Sequence, residues 1–311
     1  MTGGEFQLIH RYLSTFGAAP QVALGVGDDA AVLSVFPGQD LLVSTDTLVC
    51  GIHFPNDTFP EHIATRAVAT AASDLAAMAA EPLAMTLALT LPDADELWLH
   101  SFSQGLAKSV NRYRLPLVGG DLTRGPLSLT VTVHGTVPRG QAVQRGGARP
   151  GDRLCVTHTL GDAAAGLALI EGRLMVDGIL SDDDQLFLET RFYEPTARLE
   201  EAHWLRDSAH AAIDISDGLL ADVGHIAAAS GLACTIDASS LPMSPALQQL
   251  PTEQATPWAL HGGDDYELAL AVPPEADLPD YVTPIGYFTV GEGVSCDYPG
   301  VANAGYDHFS G

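Results

Sequence analysis

Apolar residues recur at helical spacing through residues 5–16, where Phe6, Leu8, Ile9, Leu13 and Phe16 share one face, and this predicts a short amphipathic helix ending at Gly17. Residues 42–49 carry strand character in Val43, Thr45 and Thr47, and an exit loop to Phe54 follows. The alanine-rich run 61–80 reads as a helix, 84–91 as a strand, and 93–113 as a helix that turns Leu97, Phe102, Leu106 and Val110 to a core. Residues 115–118 make a short apolar strand entering the segment 119–125, which begins Gly119-Gly120-Asp121, and 128–137 alternate as a further strand. Strands and helices therefore alternate through the first half. Glycines and a proline at 146–152 then mark a boundary, so the chain divides into domains 1–145 and 146–311.

The second half opens with a strand at 153–157 and a helix entered through Gly161. A proline-started helix is expected over 194–205, then a strand, loop and helix over 211–223. A strand is entered from 261–268, and another is expected at 282–288. No fixed-period repeat is present. What recurs is glycine followed by aspartate at the end of an apolar segment.

These corners carry the candidate chemistry. Asp28 and Asp29 follow Gly25-Val26-Gly27; Ser44, Thr45 and Asp46 precede His53 at the end of the 42–49 strand; Asp74 lies among alanines; Asp121 follows Gly119-Gly120; Asp214, Ser216 and Asp217 end a strand; Asp264 and Asp265 follow Gly262-Gly263. Each has a plain alternative. The 25–29 segment equally reads as a solvated turn, the 42–54 segment as an edge strand with polar tips, and Ser73 or Asp74 as the N-cap of a second helical segment. Within its own helix, Asp74 has Thr70 and Met78 as neighbours four residues away, so no cation pairs with it there.

Composition narrows the class. With 46% apolar and 17% charged residues the chain is an ordinary globular one, and the apolar stretch 63–91 is interrupted by Arg66, Asp74, Glu81 and Pro82, which makes it a poor membrane span. The net charge of −25, with Lys108 the only lysine, argues against nucleic-acid binding driven by phosphate contacts. The N-terminus shows no secretory pattern, and Cys50, Cys155, Cys234 and Cys296 show no C-x-x-C spacing. A reducing cytoplasm is expected, without a disulfide frame or a zinc site.

If the acidic corners converged, their repulsion would require cations, and hard carboxylates with few histidines select Mg2+, Mn2+ or Ca2+. Mg2+ shared with phosphate suits single carboxylates spread along a chain. A P-loop, a complete G-x-G-x-x-G turn, the H-R-D and D-F-G kinase set and a G-x-S-x-G elbow are all absent. The residues alone thus point to a metal-rich, phosphate-handling, two-domain α/β protein.

The motifs G-D-D-A-A at 27–31, S-T-D-T-L-V-x-G-x-H-F at 44–54, S-D-L-A-A-M at 73–78, G-G-D at 119–121, D-I-S-D-G-L at 214–219 and G-G-D-D-Y-E-L at 262–268, in this order, resemble the thiamine-monophosphate kinases. The terminal stretch Tyr306-Asp307-His308-Phe309 extends the resemblance, and several motifs are shared with the wider aminoimidazole-ribonucleotide-synthetase-like superfamily. The resemblance implies a two-domain α/β fold of α+β type in which the N-terminal domain sheet completes a barrel across a homodimer and the C-terminal domain closes the cleft. It implies phosphorylation of thiamine monophosphate to thiamine diphosphate by ATP with several Mg2+ ions. Carried over, Asp29, Ser44, Thr45, Asp46, Asp74, Asp121, Asp214 and Asp217 are metal positions, with Asp46, Asp121 and Asp217 central to catalysis. Gly120, Asp121, Arg145 and Ser216 are ATP contacts, and His53, Asp265 and Tyr306 are substrate contacts.

A phosphate monoester has a second pKa near about 6, so the acceptor oxygen is already anionic at neutral pH and no general base is required. Positioning and charge neutralisation would carry a direct in-line transfer, with Arg145 assisting and no phosphoenzyme. The sequence departs from the family pattern at Asp264, where glutamate is usual, at Leu122, where threonine is common, and at His158, where a small residue is usual. The rival readings are another ATP-using enzyme of the superfamily, such as an amidine-forming or selenophosphate synthetase, and a noncatalytic acidic metal-binding protein. The N-terminus lacks the nucleophilic cysteine or selenocysteine beside a lysine that a selenophosphate synthetase would normally need.

Overall fold

The structure, a computed structural model, describes residues 5–27, 29–175 and 178–299. Asp28 and Tyr306 fall outside them. The chain forms two compact units: one comprises 1–76 and 80–142, and the other comprises 77–79 and 143–311.

The first unit runs α1 (Glu5–Tyr12), β1 (Val22–Leu24), β2 (Val32–Leu33), β3 (Gln39–Val49), α2 (Pro60–Ala77), β4 (Glu81–Leu91), α3 (Glu96–Tyr113), β5 (Leu117–Arg124) and β6 (Ser128–Pro138). A 3-10 turn, Ser14–Phe16, follows α1 and ends at Gly17, where a Cβ would come within 2.8 Å of the Leu117 carbonyl. The main sheet has the order β3-β6-β4-β5. Its β3–β6 and β4–β6 pairs are antiparallel, whereas β4 and β5 are parallel and joined by the crossover helix α3. Asp95 caps α3 by accepting from the Leu97 and Trp98 main-chain N–H groups. The alanines of α2 are buried, and Gly105 of α3 lies so near Glu61 that a Cβ would meet its carbonyl at 2.1 Å. Small residues thus let two helices pack closely on one face of the sheet.

Helix α2 continues unbroken through Asp74, which rules out the N-cap reading of that residue. The strand expected at 115–118 runs on through Gly119-Gly120-Asp121, which lie inside β5. Leu122 is 7% exposed and pairs with Leu89, so its departure from the family pattern adds to a core.

The second unit runs β7 (Arg153–Thr157), α4 (Asp162–Ile170), α5 (Asp182–Tyr193), α6 (Ala202–Ser208), β8 (Ala211–Asp214), α7 (Leu219–Ser230), β9 (Leu232–Ile236), α8 (Thr252–His261), β10 (Leu268–Val272), β11 (Val282–Val290) and β12 (Gly293–Cys296). Its sheet has the order β12-β9-β11-β7-β10-β8, antiparallel except where β12 joins β9. Leu154, Val156, Ile213, Val223, Ile285 and Phe288 belong to the core around it. Close contact also joins α4 to α5, where a Cβ on Gly166 would sit 2.0 Å from the Leu188 carbonyl.

Residues 195–198 are not helical; the expected helix over 194–205 is reduced to α6. The intervening chain buries Ala197 and turns Arg198 to Glu267, and this tertiary pairing overrides the proline signal. Helices α5 and α8 are not announced by the hydrophobic pattern. In α5, Leu186 and Phe187 are exposed beside buried Leu188 and Phe192, and α8 contains Pro257. No helix among the described residues is long and apolar enough to cross a membrane, and all four cysteines are free thiols.

Candidate active site

In β3 the side chains alternate, so Ser44 and Asp46 point to the α2 side while Thr45 and Thr47 point to the open face. Asp74 of α2 meets them. Ser44 Oγ donates to Asp74 Oδ2, and Asp46 and Asp74 interact directly. Burial, then the charge of Asp74 and a hydrogen bond with it, pushes the Asp46 carboxyl up to about 6. Among the described residues no arginine or lysine pairs with either acid. Two carboxylates and a hydroxyl with no cation of their own fit a hard divalent ion. No three Asp, Glu, His or Cys side chains among the described residues converge as a ready-made metal cluster.

Thr45, expected as a metal position, turns its side chain away from Asp46 and Asp74. Its hydroxyl lies on the opposite face, 2.9 Å from Thr132 Oγ1, so any ligation by residue 45 falls to its main chain. Asp121 likewise is not brought beside Asp46. The register pairs it with Ala88, whereas Gly120 pairs with Leu87, which places Asp121 on the open face. Gly120 has a packing reason of its own, since φ is 151° and a Cβ would overlap the Leu87 carbonyl at 1.9 Å. Asp29 is exposed in the same unit.

Beyond β3 the chain turns tightly at Gly51, whose φ of 77° suits glycine, and the Gly51 N–H donates to the Phe54 carbonyl at 2.8 Å. This turn sets His53. Its Nδ1 accepts from the Val49 N–H at 3.0 Å, so Nε2 carries the proton of the neutral ring. Buried Arg66 donates from Nε to the His53 carbonyl at 3.2 Å. His53 is thereby a fixed donor suited to an anionic oxygen, and Arg66, which the motifs did not single out as part of the site, supports its loop.

The second unit gathers a different corner. Asp222 Oδ2 accepts from the N–H groups of Ser216, Asp217 and Gly218 at 3.0, 3.1 and 3.2 Å. Burial, then the Asp217 charge, pushes the Asp222 carboxyl up to about 7 against the pull of those three bonds. Asp264 donates its N–H to the Ser216 carbonyl and Tyr266 donates to that of Ile215, both at 2.9 Å. Asp214 ends β8 and is buried, while Ser216, Asp217 and Asp264 sit on two loops tied together by their main chains. Arg145 is exposed, next to Gln144, whose carbonyl accepts from the Ala212 N–H at 3.1 Å.

Asp265, expected as a substrate contact, is held inside the fold. It is 1% exposed, and its oxygens accept from the Gly161 N–H at 2.6 Å and the Ala163 N–H at 3.3 Å, so it holds the start of α4 rather than presenting an open carboxylate. The neighbouring Asp264 is the half-buried one, with its Oδ1 3.2 Å from the Tyr266 hydroxyl. The two aspartates are adjacent in sequence and differ in burial.

Residues 27–137 match the N-terminal domain of AIR synthase related protein, and residues 149–283 match its C-terminal domain. The thiamine-monophosphate kinase of Escherichia coli K12 is 50% identical over 275 residues, covering 88% of this chain and 84% of that protein. The chain belongs to the thiamine-monophosphate kinase family. Among solved structures, the thiamine-monophosphate kinase of Stenotrophomonas maltophilia K279a aligns with a TM-score of 0.83 at 43% identity, over 94% of this chain and 95% of that one. AaThiL complexed with AMPPCP and TMP aligns with a TM-score of 0.81 at 33% identity, over 89% of each chain. The fold is thus the AIR synthase-like mixed α/β fold, with one family domain assigned to each half of the chain.

Proposed function

We propose that this family member transfers the terminal phosphoryl group of ATP directly to the phosphate of thiamine monophosphate, giving ADP and thiamine diphosphate. The bond between the β-phosphate oxygen and the γ-phosphorus breaks as an acceptor phosphate oxygen bonds that phosphorus. The observation that carries the reading is the Ser44–Asp46–Asp74 corner, two acids that no arginine or lysine pairs with among the described residues, in a chain of this family. Bound Mg2+ would supply the positive charge that lets two polyanions approach. Ser44, Asp46 and Asp74, with the main chain of Thr45, would hold one ion in the first unit, and Asp29 and Asp121 would serve a separate one. In the second unit Asp214 and Asp217 would do so.

The chain's own residues orient the rest. The proton on His53 Nε2 is held toward an anion by the bond at Nδ1, and it binds the acceptor phosphate. Asp264, not Asp265, takes the acceptor-side contact in the second unit, while Ser216, Gly120, Asp121 and Arg145 serve the nucleotide. Tyr306 keeps its proposed substrate role. The open face of the first sheet carries Leu41 and Val43, 50% and 58% exposed, beside Thr45 and Thr47. This β-branched and apolar surface favours a homodimer in which the sheets of two subunits cover one another. A cytoplasmic location is part of the same proposal.

Purified protein incubated with ATP, thiamine monophosphate and Mg2+ is expected to form thiamine diphosphate and ADP in equal amounts. ATP consumed without thiamine diphosphate would transfer the chain to another activity of the superfamily. Sedimentation should show a dimer.

A further inference from the structure

Glu267 closes the G-G-D-D-Y-E-L motif, and the proposed reaction makes no use of it. Its side chain is fully buried, yet it accepts from four groups: Thr157 Oγ1 at 2.6 Å, Arg191 Nη2 at 2.9 Å, Arg198 Nε at 2.7 Å, and Arg198 Nη2. Arg191 and Arg198 are only 11% and 12% exposed. A buried Arg–carboxylate–Arg arrangement adds little stability over packed apolar side chains of the same volume, because desolvation of the charges offsets their attraction. It does impose geometry, since the planar fork of Arg198 accepts only one orientation of the carboxylate.

That geometry is imposed beside an unfavourable stretch of backbone. Asp264 and Tyr266 have φ of 69° and 51°, a left-handed conformation disfavoured for residues with a Cβ. Two such residues within three persist only where the surroundings over-determine them. Gly263 lets the loop approach, since a Cβ there would lie 2.4 Å from the Ser216 carbonyl, and the Glu267 carbonyl accepts from the Ile215 N–H at 2.7 Å. The two arginines and Thr157 hold the far end of the same five-residue stretch.

We propose that Arg198 and Arg191 are positioning residues for the acceptor: by clamping Glu267 they hold the strained loop that presents Asp264. The clamp joins four segments of the second unit, namely the end of β7, helix α5, the irregular residues 195–198 and the loop itself. It rests on the reading of Asp264 as the acceptor-side contact. Neither arginine touches substrate in this account; each acts through Glu267.

The test is the Arg198→Lys variant, which keeps the charge but cannot give two parallel hydrogen bonds. KM for thiamine monophosphate is expected to rise about tenfold while KM for ATP changes less than about twofold. An osmolyte that restores any lost Tm should leave the acceptor KM raised, and millimolar methylguanidinium should lower it again in Arg198→Ala. An unchanged acceptor KM overturns the proposal, as does a change in both KM values and kcat that disappears when Tm is restored. If Arg198→Lys fails to fold, Arg191→Lys is read by the same criteria, and failure of both to fold assigns the clamp to stability alone. The wild-type assay run alongside separates the two claims. No thiamine diphosphate from wild type removes the kinase reading, whereas normal wild-type turnover with an unaltered variant KM removes only the clamp.

Discussion

The corner formed by Ser44, Asp46 and Asp74 and the corner formed by Glu267, Arg191 and Arg198 are both built from half-buried or buried charge, yet they are opposites. In the first, two acids face one another with no arginine or lysine paired to them among the described residues, and burial and the Asp74 charge push the Asp46 carboxyl up to about 6. In the second, two guanidinium groups surround one carboxylate. An acidic cluster left uncompensated by the chain requires a charge from outside, whereas a compensated one is finished by folding. Acidity alone therefore does not mark a site; the missing counter-charge does.

Removing the charge at the uncompensated corner should have the largest effect. Asp46→Asn is expected to lower kcat by on the order of 100-fold or more at saturating Mg2+, because a ligand for transition-state charge neutralisation is lost. Near-normal turnover at limiting Mg2+ would take Asp46 out of the metal role.

At the compensated corner the adjacent aspartates should separate. Asp265→Ala leaves the Gly161 and Ala163 N–H groups without their buried acceptor and should destabilise the fold by about 2–4 kcal/mol, read as a fall in Tm. Asp264→Asn should change Tm little and raise the acceptor KM. Equal Tm losses would erase the distinction drawn between them.

The pH response sharpens the contrast further. In metal-free protein the folded state binds the Asp46 proton more tightly than the unfolded state, whose carboxyl titrates near 3.8. Stability from this group is therefore present at low pH and lost as pH rises from about 3.8 through about 6. Thermal melts of metal-free protein should show that loss, and Mg2+ should raise Tm above pH 6 but progressively less below it. In Asp46→Asn both effects should shrink, and a Mg2+ increment independent of pH would argue against this corner as the ion's place. The smallest effect is expected at Thr45→Val, whose hydroxyl faces away from Asp46 and Asp74. Turnover within about threefold of wild type would agree with main-chain ligation.

Much of this was legible in the chain. The alternation in β3 and β6, the alanine helix α2 and the glycine-aspartate corners follow from local periodicity and turn chemistry, and the ordered motifs indicate the family. Helices α5 and α8 were not legible, because one exposes apolar residues and the other contains a proline. Residues 195–198 were misleading, since the pairing of Arg198 with a residue 69 positions away outweighs a local helix signal. The face on which Thr45 and Asp121 lie depends on strand register, and the roles of Asp264 and Asp265 depend on burial.

The sequence by itself determined which residue types were available: acids in excess, one lysine, and small residues where helices and strands approach closely. Tertiary structure alone decided which acids were paired with arginine and which were left facing one another. The reason is physical. A carboxylate's proton affinity and its need for a cation depend on burial and on charges a few ångströms away, and those neighbours come from parts of the chain that sequence order keeps apart.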